Sequence, residues 1–272
     1  MKKKLVFILV PVMLIVIAAG AWFAMHEKNQ SVNISALLAE NEKLGEKVDK
    51  LAEKLDRATL ELAQQADRET REPVEWGDGY NWMAIGNSMT WRSKWQRGIC
   101  STMPDNDYFG IVKAWLENRH ENVQAERCNY SDWEQSTIRA SVFDLIAPYL
   151  SEKLDLVTIQ LGEDISDTET YWDDLERLIR YVEGHCPSAQ IILIDDFWSQ
   201  ERSDIRRAVA AGTHIQFADL GEIRGKKEYQ SEEETEYMLT DGRVLAVEKE
   251  DESYPGDAGM AYIAEQVIKI LE

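Results

Sequence analysis

From Trp76 to the end of the chain, short apolar runs alternate with longer stretches in which apolar residues recur every three or four positions. The runs are WMAIGN (82–87), VQAERCNY (123–130), LDLVTIQLG (154–162), QIILIDDFW (190–198) and HIQFADL (214–220). Their length and their content of Val and Ile predict strands. Between them the spacing predicts helices over roughly 107–118, 135–150, 170–184 and 202–212, with one more closing the chain over 258–271. Strands that alternate with helices build a mainly parallel sheet covered on both faces, and in such sheets the chemistry gathers at the carboxyl ends of the strands.

The front of the chain follows other periods. MKKKLVFILVPVMLIVIAAGAWFAM sets three lysines before an unbroken apolar run from Leu5 to Met25. A helix of about 20 such residues spans the hydrocarbon core of a bilayer. Lys2, Lys3 and Lys4 are expected to stay in the cytoplasm, which puts everything after Met25 outside the cell. A cleaved signal peptide, with Ala18 and Gly20 before the cut, is the alternative, but its apolar region is usually only about 7–15 residues. The expected organisation is an uncleaved anchor over 1–30, a stalk over 31–72 and one catalytic-sized domain over 75–272. No cysteine follows the apolar run, so a lipoprotein is excluded.

The stalk has heptad spacing: Ile34, Asn41, Val48, Leu55 and Leu62 at one core position, and Leu37, Leu44, Leu51 and Ala58 at the other. Such spacing winds helices around each other, and Asn41 in the seam favours a parallel homodimer because its amide pairs with its own copy. Gly45 and Ala52 weaken the flanks, so a lone charged helix is the competing reading. Glu72-Pro73 ends the segment.

Composition narrows the functions open to the domain. A chain of 272 residues that is 44% hydrophobic can bury one substantial core. A net charge of -20 argues against nucleic acid and against anionic lipid head groups, both of which need clustered Lys and Arg. Cys100, Cys128 and Cys186 are far apart, with no CxxC pair and no metal-ligand spacing to the four histidines. No metal or cofactor is expected, and at most one disulfide. The acidic runs SEEETEY (231–237) and EKEDE (248–252) lack the ligand spacing and turn glycine of a calcium loop and are expected to form a solvated flap.

Three stretches of polar residues fall at the expected strand ends: Gly86-Asn87-Ser88-Met89-Thr90, Gly162-Glu163-Asp164, and the loop Asp251 to Tyr254. Singly, a Ser after a strand is a helix cap and Gly-Glu-Asp a solvated turn. In order, IGNSMTW, QLGED and YPGDAGMAYIAEQV resemble the SGNH, or GDSL-like, hydrolase family, in the branch whose motifs read GNS-x-T and HPGD-x-GM. The similarity covers about the last 200 residues. It implies a flavodoxin-like three-layer α/β/α sandwich on a five-stranded, mainly parallel sheet, and metal-free hydrolysis of esters, often acyl groups on carbohydrates.

Carried over by residue, the resemblance implies Ser88 as nucleophile with its own N–H as one oxyanion donor. The family's oxyanion asparagine falls on Asp164, its base histidine on Tyr254, and its orienting acid on Asp251. The family's donor glycine is missing from NYSDWEQ (129–135), so the backbone at Trp133 and Glu134 would have to supply that N–H. A serine hydroxyl needs a base with a pKa near the working pH, and a phenol with a pKa of about 10 is a poor one. An ionised Asp164 offers acceptors where the reaction needs a donor. His26, His120, His185 and His214 do not have the spacing of a triad partner. The chain therefore reads as a membrane-anchored extracellular SGNH-like protein with a degenerate catalytic set. The other two readings are an active cell-envelope acyl esterase with an altered base, and a non-catalytic carbohydrate-binding or structural surface module. The expected partner is a cell-envelope glycan or a small acyl ester. Trp82, Trp91, Trp95, Trp133 and Trp198 lie near the strand ends, either to face sugars or to fill the core.

Overall fold

A computed structural model describes residues 43–45, 47–48, 73–93, 95–165, 168–239 and 242–272. The chain divides into two units, Met1–Ala63 and Gln64–Glu272. In the first, residues 43–45 and 47–48 are helical, while the expected anchor and most of the expected stalk lie outside the described residues. No helix among the described residues is long and apolar enough to cross a membrane.

Five strands form the central sheet: β1 (Asn81–Gly86), β2 (Gln124–Asn129), β3 (Leu156–Gln160), β4 (Gln190–Ile194) and β5 (Gln216–Ala218). Their order is β2-β1-β3-β4-β5 and every pairing is parallel. This is the flavodoxin-like order, in which the strand sequence reverses beside β1 and opens a crevice between the ends of β1 and β3. The central strands β1 and β3 are buried at every position, which is why they read as unbroken apolar runs.

Alternation along the strands feeds two cores. Met83, Ile85, Val157 and Ile159 pack with Leu175, Leu178 and Val182 of one helix, Tyr171–His185 (α3). Trp82, Ala84, Leu156 and Ile192 pack on the other face with Val112 and Leu116 of α1 (Tyr108–Glu117) and Met260, Ile263 and Val267 of α5 (Asp257–Leu271). The remaining helices are the short α2 (Ser131–Gln135) and α4 (Gln200–Thr213).

Two expectations fail locally. The helix expected over 135–150 is instead α2 followed by two 3-10 segments, Arg139–Leu145 and Ala147–Tyr149. Ser136 turns extended and its hydroxyl accepts from the Ile138 N–H, and Pro148 has no N–H to offer, so local side-chain bonding outcompetes a continuous α-helix. The run at 231–237 exposes its four glutamates but is tied down rather than a flap: it enters a hairpin of β6 (Glu236–Met238) and β7 (Val244–Ala246), and Tyr237 is buried with its ring stacked 3.4 Å from that of Trp95. The three cysteines are free and buried.

The strand ends are joined by a buried polar network. Asn87, the first residue past β1, donates its side-chain amide to Glu163 Oε2 at 2.9 Å and to Glu134 Oε1 at 3.2 Å. Glu134 Oε1 also accepts from the Gly162 N–H. Arg206 of α4, fully buried, places Nη2 3.0 Å from Glu163 Oε1 and 3.6 Å from Asp196 Oδ2, Nε 2.7 Å from the Tyr171 hydroxyl, and Nη1 2.9 Å from the Ile194 carbonyl. Asp196 also binds Arg202 at 2.6 Å. The loops after β1, β2, β3 and β4 are thereby held in one cluster. Gly162 is required where they meet: its φ is +114°, and a Cβ there would lie 2.0 Å from the Tyr171 hydroxyl.

The charges balance only if one carboxyl is protonated. Burial, and next the Glu163 carboxylate, push Glu134 up to about 8. Burial pushes the Glu163 carboxyl up too, but Arg206 opposes this, so of the pair Glu163 is the one that faces a cation and keeps the negative charge. Burial works against Asp196 as well, yet Arg206 and Arg202 hold it below the ordinary carboxylate value. With Glu134 neutral, the carboxylates of Glu163 and Asp196 match the guanidinium groups of Arg206 and Arg202.

A carboxyl with a raised folded-state pKa makes the fold bind more protons than the unfolded chain. Stability from Glu134 is therefore complete below pH ~4.5 and is lost as pH rises to about 8, by an amount on the order of a few kcal/mol. The melting temperature of the chain should fall across this window, and Glu134→Gln should shrink that fall by roughly 5 °C or more. An unchanged slope in thermal unfolding measured from pH 5 to 8.5 would contradict the assignment.

Candidate functional site

Ser88 follows Asn87 in a tight turn at the crevice. Asn87 Oδ1 accepts from the Met89 N–H at 3.0 Å, and its carbonyl accepts from Thr90 and Trp91, each at 3.0 Å, so the amide that binds the two glutamates also has its oxygen fixed. Gly86 lets the turn close: a Cβ there would come within 1.9 Å of Thr90 Oγ1 and 2.9 Å of the Gln160 carbonyl. Ser88 is half-buried, and its carbonyl accepts from Ile99 at 2.9 Å.

Tyr254 lies beside Ser88, near enough for the serine hydroxyl to act on the phenol. Burial pushes the phenol up from its ordinary value; the Ser88 hydroxyl and the charge of Arg92 oppose this, while Asp164 and Asp251 add to it. The crevice thus brings together Ser88, Tyr254, Asp164 and Asp251, the four residues singled out in the sequence, and adds Arg92. The Tyr254 ring is packed edge-on against Trp198, with centroids 5.2 Å apart. Trp198 in turn donates its indole N–H to the Ser253 carbonyl at 3.0 Å and its backbone N–H to Asp196 Oδ1 at 2.8 Å. The loop that carries Tyr254 is thereby linked to the buried network.

Asp251 is buried and binds Arg92 Nη1 through Oδ1 at 3.1 Å, while Oδ2 has no partner among the described residues. Its carbonyl accepts from Ser231 Oγ at 3.0 Å and from the Tyr254 N–H at 3.1 Å, so the backbone that carries the carboxyl is fixed beside Tyr254. A phenol has no ring N–H to give that carboxyl. Asp164 sits in an exposed turn after β3.

The donors that could stabilise an oxyanion are mostly engaged. The Trp133 N–H is used within the turn of α2, to the Tyr130 carbonyl at 3.0 Å, so it is not the substitute expected for the missing glycine. The Gly162 N–H goes to Glu134 and the Asn87 amide to both glutamates. Among the described residues the Ser88 N–H makes no hydrogen bond, and it is the donor left for the crevice. His120 stacks on Tyr80 at 4.1 Å, His185 ends α3, and His214, expected to open a strand, instead caps α4 in the left-handed conformation, φ 62°. His26 lies outside the described residues. No group of three or more His, Cys, Asp or Glu among the described residues is placed to hold a metal ion.

Sequence reasoning missed the supporting residues. Taken singly, Gly-Glu-Asp has the composition of a solvated turn, whereas Glu163 is buried and only Asp164 is exposed. Arg206 falls in a polar helix with four further charged residues and gives no local sign of its burial. Trp82, Trp95 and Trp133 are fully buried and fill the core; Trp91 and Trp198 are the two left partly open.

No protein-family model and no curated protein matches the sequence. Similar solved structures include a two-domain esterase active on acetylated mannans, 18% identical over 71% of this chain with a TM-score of 0.48. Phospholipase A1 from Streptomyces albidoflavus NA297 is 12% identical over 70% of this chain and 99% of its own length, with a TM-score of 0.48. A member of the lipolytic protein G-D-S-L family from Veillonella parvula DSM 2008 is 13% identical over 70% of this chain and 97% of its own, with a TM-score of 0.44. The chain spans about half, 49%, of the two-domain esterase.

Proposed function

We propose that this chain is an SGNH-type domain, tethered to the outside of the cell membrane, whose crevice binds an acyl-bearing carbohydrate and whose hydrolytic power is strongly reduced. The observation that carries this reading is the neighbour of Ser88: the hydroxyl in the nucleophile's position lies beside the Tyr254 phenol, whose pKa is raised by burial, and not beside a base. Two further features support it. Asp251, in the orienting position, is committed to Arg92 on one oxygen and unpartnered on the other. Where a side-chain amide would donate to an oxyanion, Asp164 presents an exposed carboxyl. Ester hydrolysis comes from the motif resemblance, and the tether from the apolar run Leu5–Met25.

The geometry also says how activity could be regained. Tyr254→His would put a base beside Ser88 and turn a ring N–H toward the free Asp251 oxygen, and Asp164→Asn would supply a donor. A general base contributes about 10²–10⁴ and one oxyanion donor about 10²–10³ in rate. The double variant should therefore hydrolyse a small activated acetyl ester at least ~10²-fold faster than wild type, and by more than the product of the single effects. The gain should disappear on adding Ser88→Ala. Wild-type hydrolysis that is already as fast and Ser88-dependent, or a folded double variant no faster than wild type, would refute the reading.

The tether is tested separately. The full chain should sediment with membranes, and protease added outside intact cells should digest the 75–272 domain. Recovery of a soluble secreted form starting near Ala21 would overturn the anchor.

A further inference from the structure

Beside the crevice, at the end of β2 and the turn after β1, is a cavity of about 530 Å³ bordered by Trp91, Arg92, Arg127, Asn129 and Tyr149. That volume lies in the range of small-molecule sites and is ample for a sugar ring. The chain carries 50 Asp and Glu against 30 Lys and Arg, yet the charged side chains among the cavity's described lining residues are two arginines and no carboxylate. Two arginines and no carboxylate in the wall of a cavity is a local arrangement unlike the composition of the whole chain.

The two arginines are held differently. Arg127 is pinned by Asp107 and lies over the rings of Trp91 and Phe109, 4.9 and 4.4 Å from their centroids, with its side chain 18% exposed. It is a fixed part of the wall. Arg92 is 36% exposed and uses Nη1 on Asp251; its remaining guanidinium N–H groups make no hydrogen bond among the described residues. Arg92 therefore offers donors to the cavity while its charge reaches Tyr254, the neighbour of Ser88. Asn129 donates to the Trp91 carbonyl at 2.7 Å and fixes the position of that residue at the cavity edge.

We propose that this cavity is a subsite for a carboxylate-bearing sugar, a uronic acid unit of an acidic glycan, with Arg92 binding the carboxylate and Trp91 bordering the ring. The planar fork of a guanidinium suits a carboxylate, and a partly exposed aromatic beside it suits a pyranose face. The inference rests on the reading of the crevice as a carbohydrate site and specifies which carbohydrate it takes.

The test is calorimetric titration of the full chain, in detergent, with trigalacturonate and with its carboxyl-reduced neutral counterpart. Trigalacturonate should bind at least tenfold more tightly, the difference should shrink as salt is raised, and Arg92→Gln should abolish it. Arg92→Lys, which keeps the charge without the fork, should retain only part of it. Because Arg92 also binds Asp251, the melting temperature of each variant is measured alongside, and Trp91→Ala, which removes no member of either ion pair, should weaken both ligands. Equal binding of the two trisaccharides, a preference that survives Arg92→Gln, or tighter binding of a sugar phosphate than of the uronate would overturn the subsite. So would failure of both trisaccharides to bind. Restored hydrolysis by the Tyr254 and Asp164 double variant would then show that the reading of the crevice survives without this subsite.

Discussion

The contact between Arg206 and Glu163, 3.0 Å apart and shut off from water, is the constraint on which the site depends. Taking a guanidinium out of water is costly, and removing one partner of such a pair typically costs about 3–5 kcal/mol because the other is left charged and alone. Arg206 is offset here by Glu163, Asp196, the Tyr171 hydroxyl and the Ile194 carbonyl together. Through Glu163 and Asn87 the same charge fixes the residue that immediately precedes Ser88. Through Asp196 it reaches the loop that carries Trp198 and, from there, Tyr254. The presentation of Ser88 is thus a consequence of a charge buried on the far side of the sheet from α1 and α5.

The same network explains why the crevice is poor in donors. The Asn87 amide and the Gly162 N–H lie at the strand ends, but both are taken up by Glu134 and Glu163. Burying two carboxyls beside a single fully buried arginine draws in these donors and a proton on Glu134. Arg92 makes a similar exchange on the other side, holding Asp251 by one oxygen while it lines the neighbouring cavity. In the proposed reading, structural demand and ligand binding have taken over groups that would otherwise serve hydrolysis.

Much of the scaffold was legible from the chain because burial leaves a periodic trace. The unbroken apolar runs at β1 and β3 marked central parallel strands, and three-to-four spacing marked α1, α3, α4 and α5 within a residue or two. Residues 135–150 misled because their apolar spacing is helical while Ser136 and Pro148 break the hydrogen-bond ladder locally. The motif resemblance and the strand ends pointed to one crevice for Ser88, Asp164, Asp251 and Tyr254, and the first three all act on the Tyr254 phenol. What could not be read was the second tier: Glu134, Glu163 and Arg206 resemble surface residues in sequence, and their burial depends on partners 28 to 76 positions away. The cavity arginines were hidden for the same reason, since Arg92 and Arg127 meet only through the pairing of β1 with β2.

The central claim is that Ser88 is held in place but has no working base. The rate at which a fluorophosphonate modifies Ser88 in the intact chain, followed by mass spectrometry from pH 5 to 10, tests this most directly. Slow modification that keeps rising with pH, with no plateau, is the predicted result, since the phenol beside Ser88 has its pKa raised above the ordinary value of about 10. Fast modification that levels off above pH ~7 would reveal a base with the titration of an imidazole and would contradict the account.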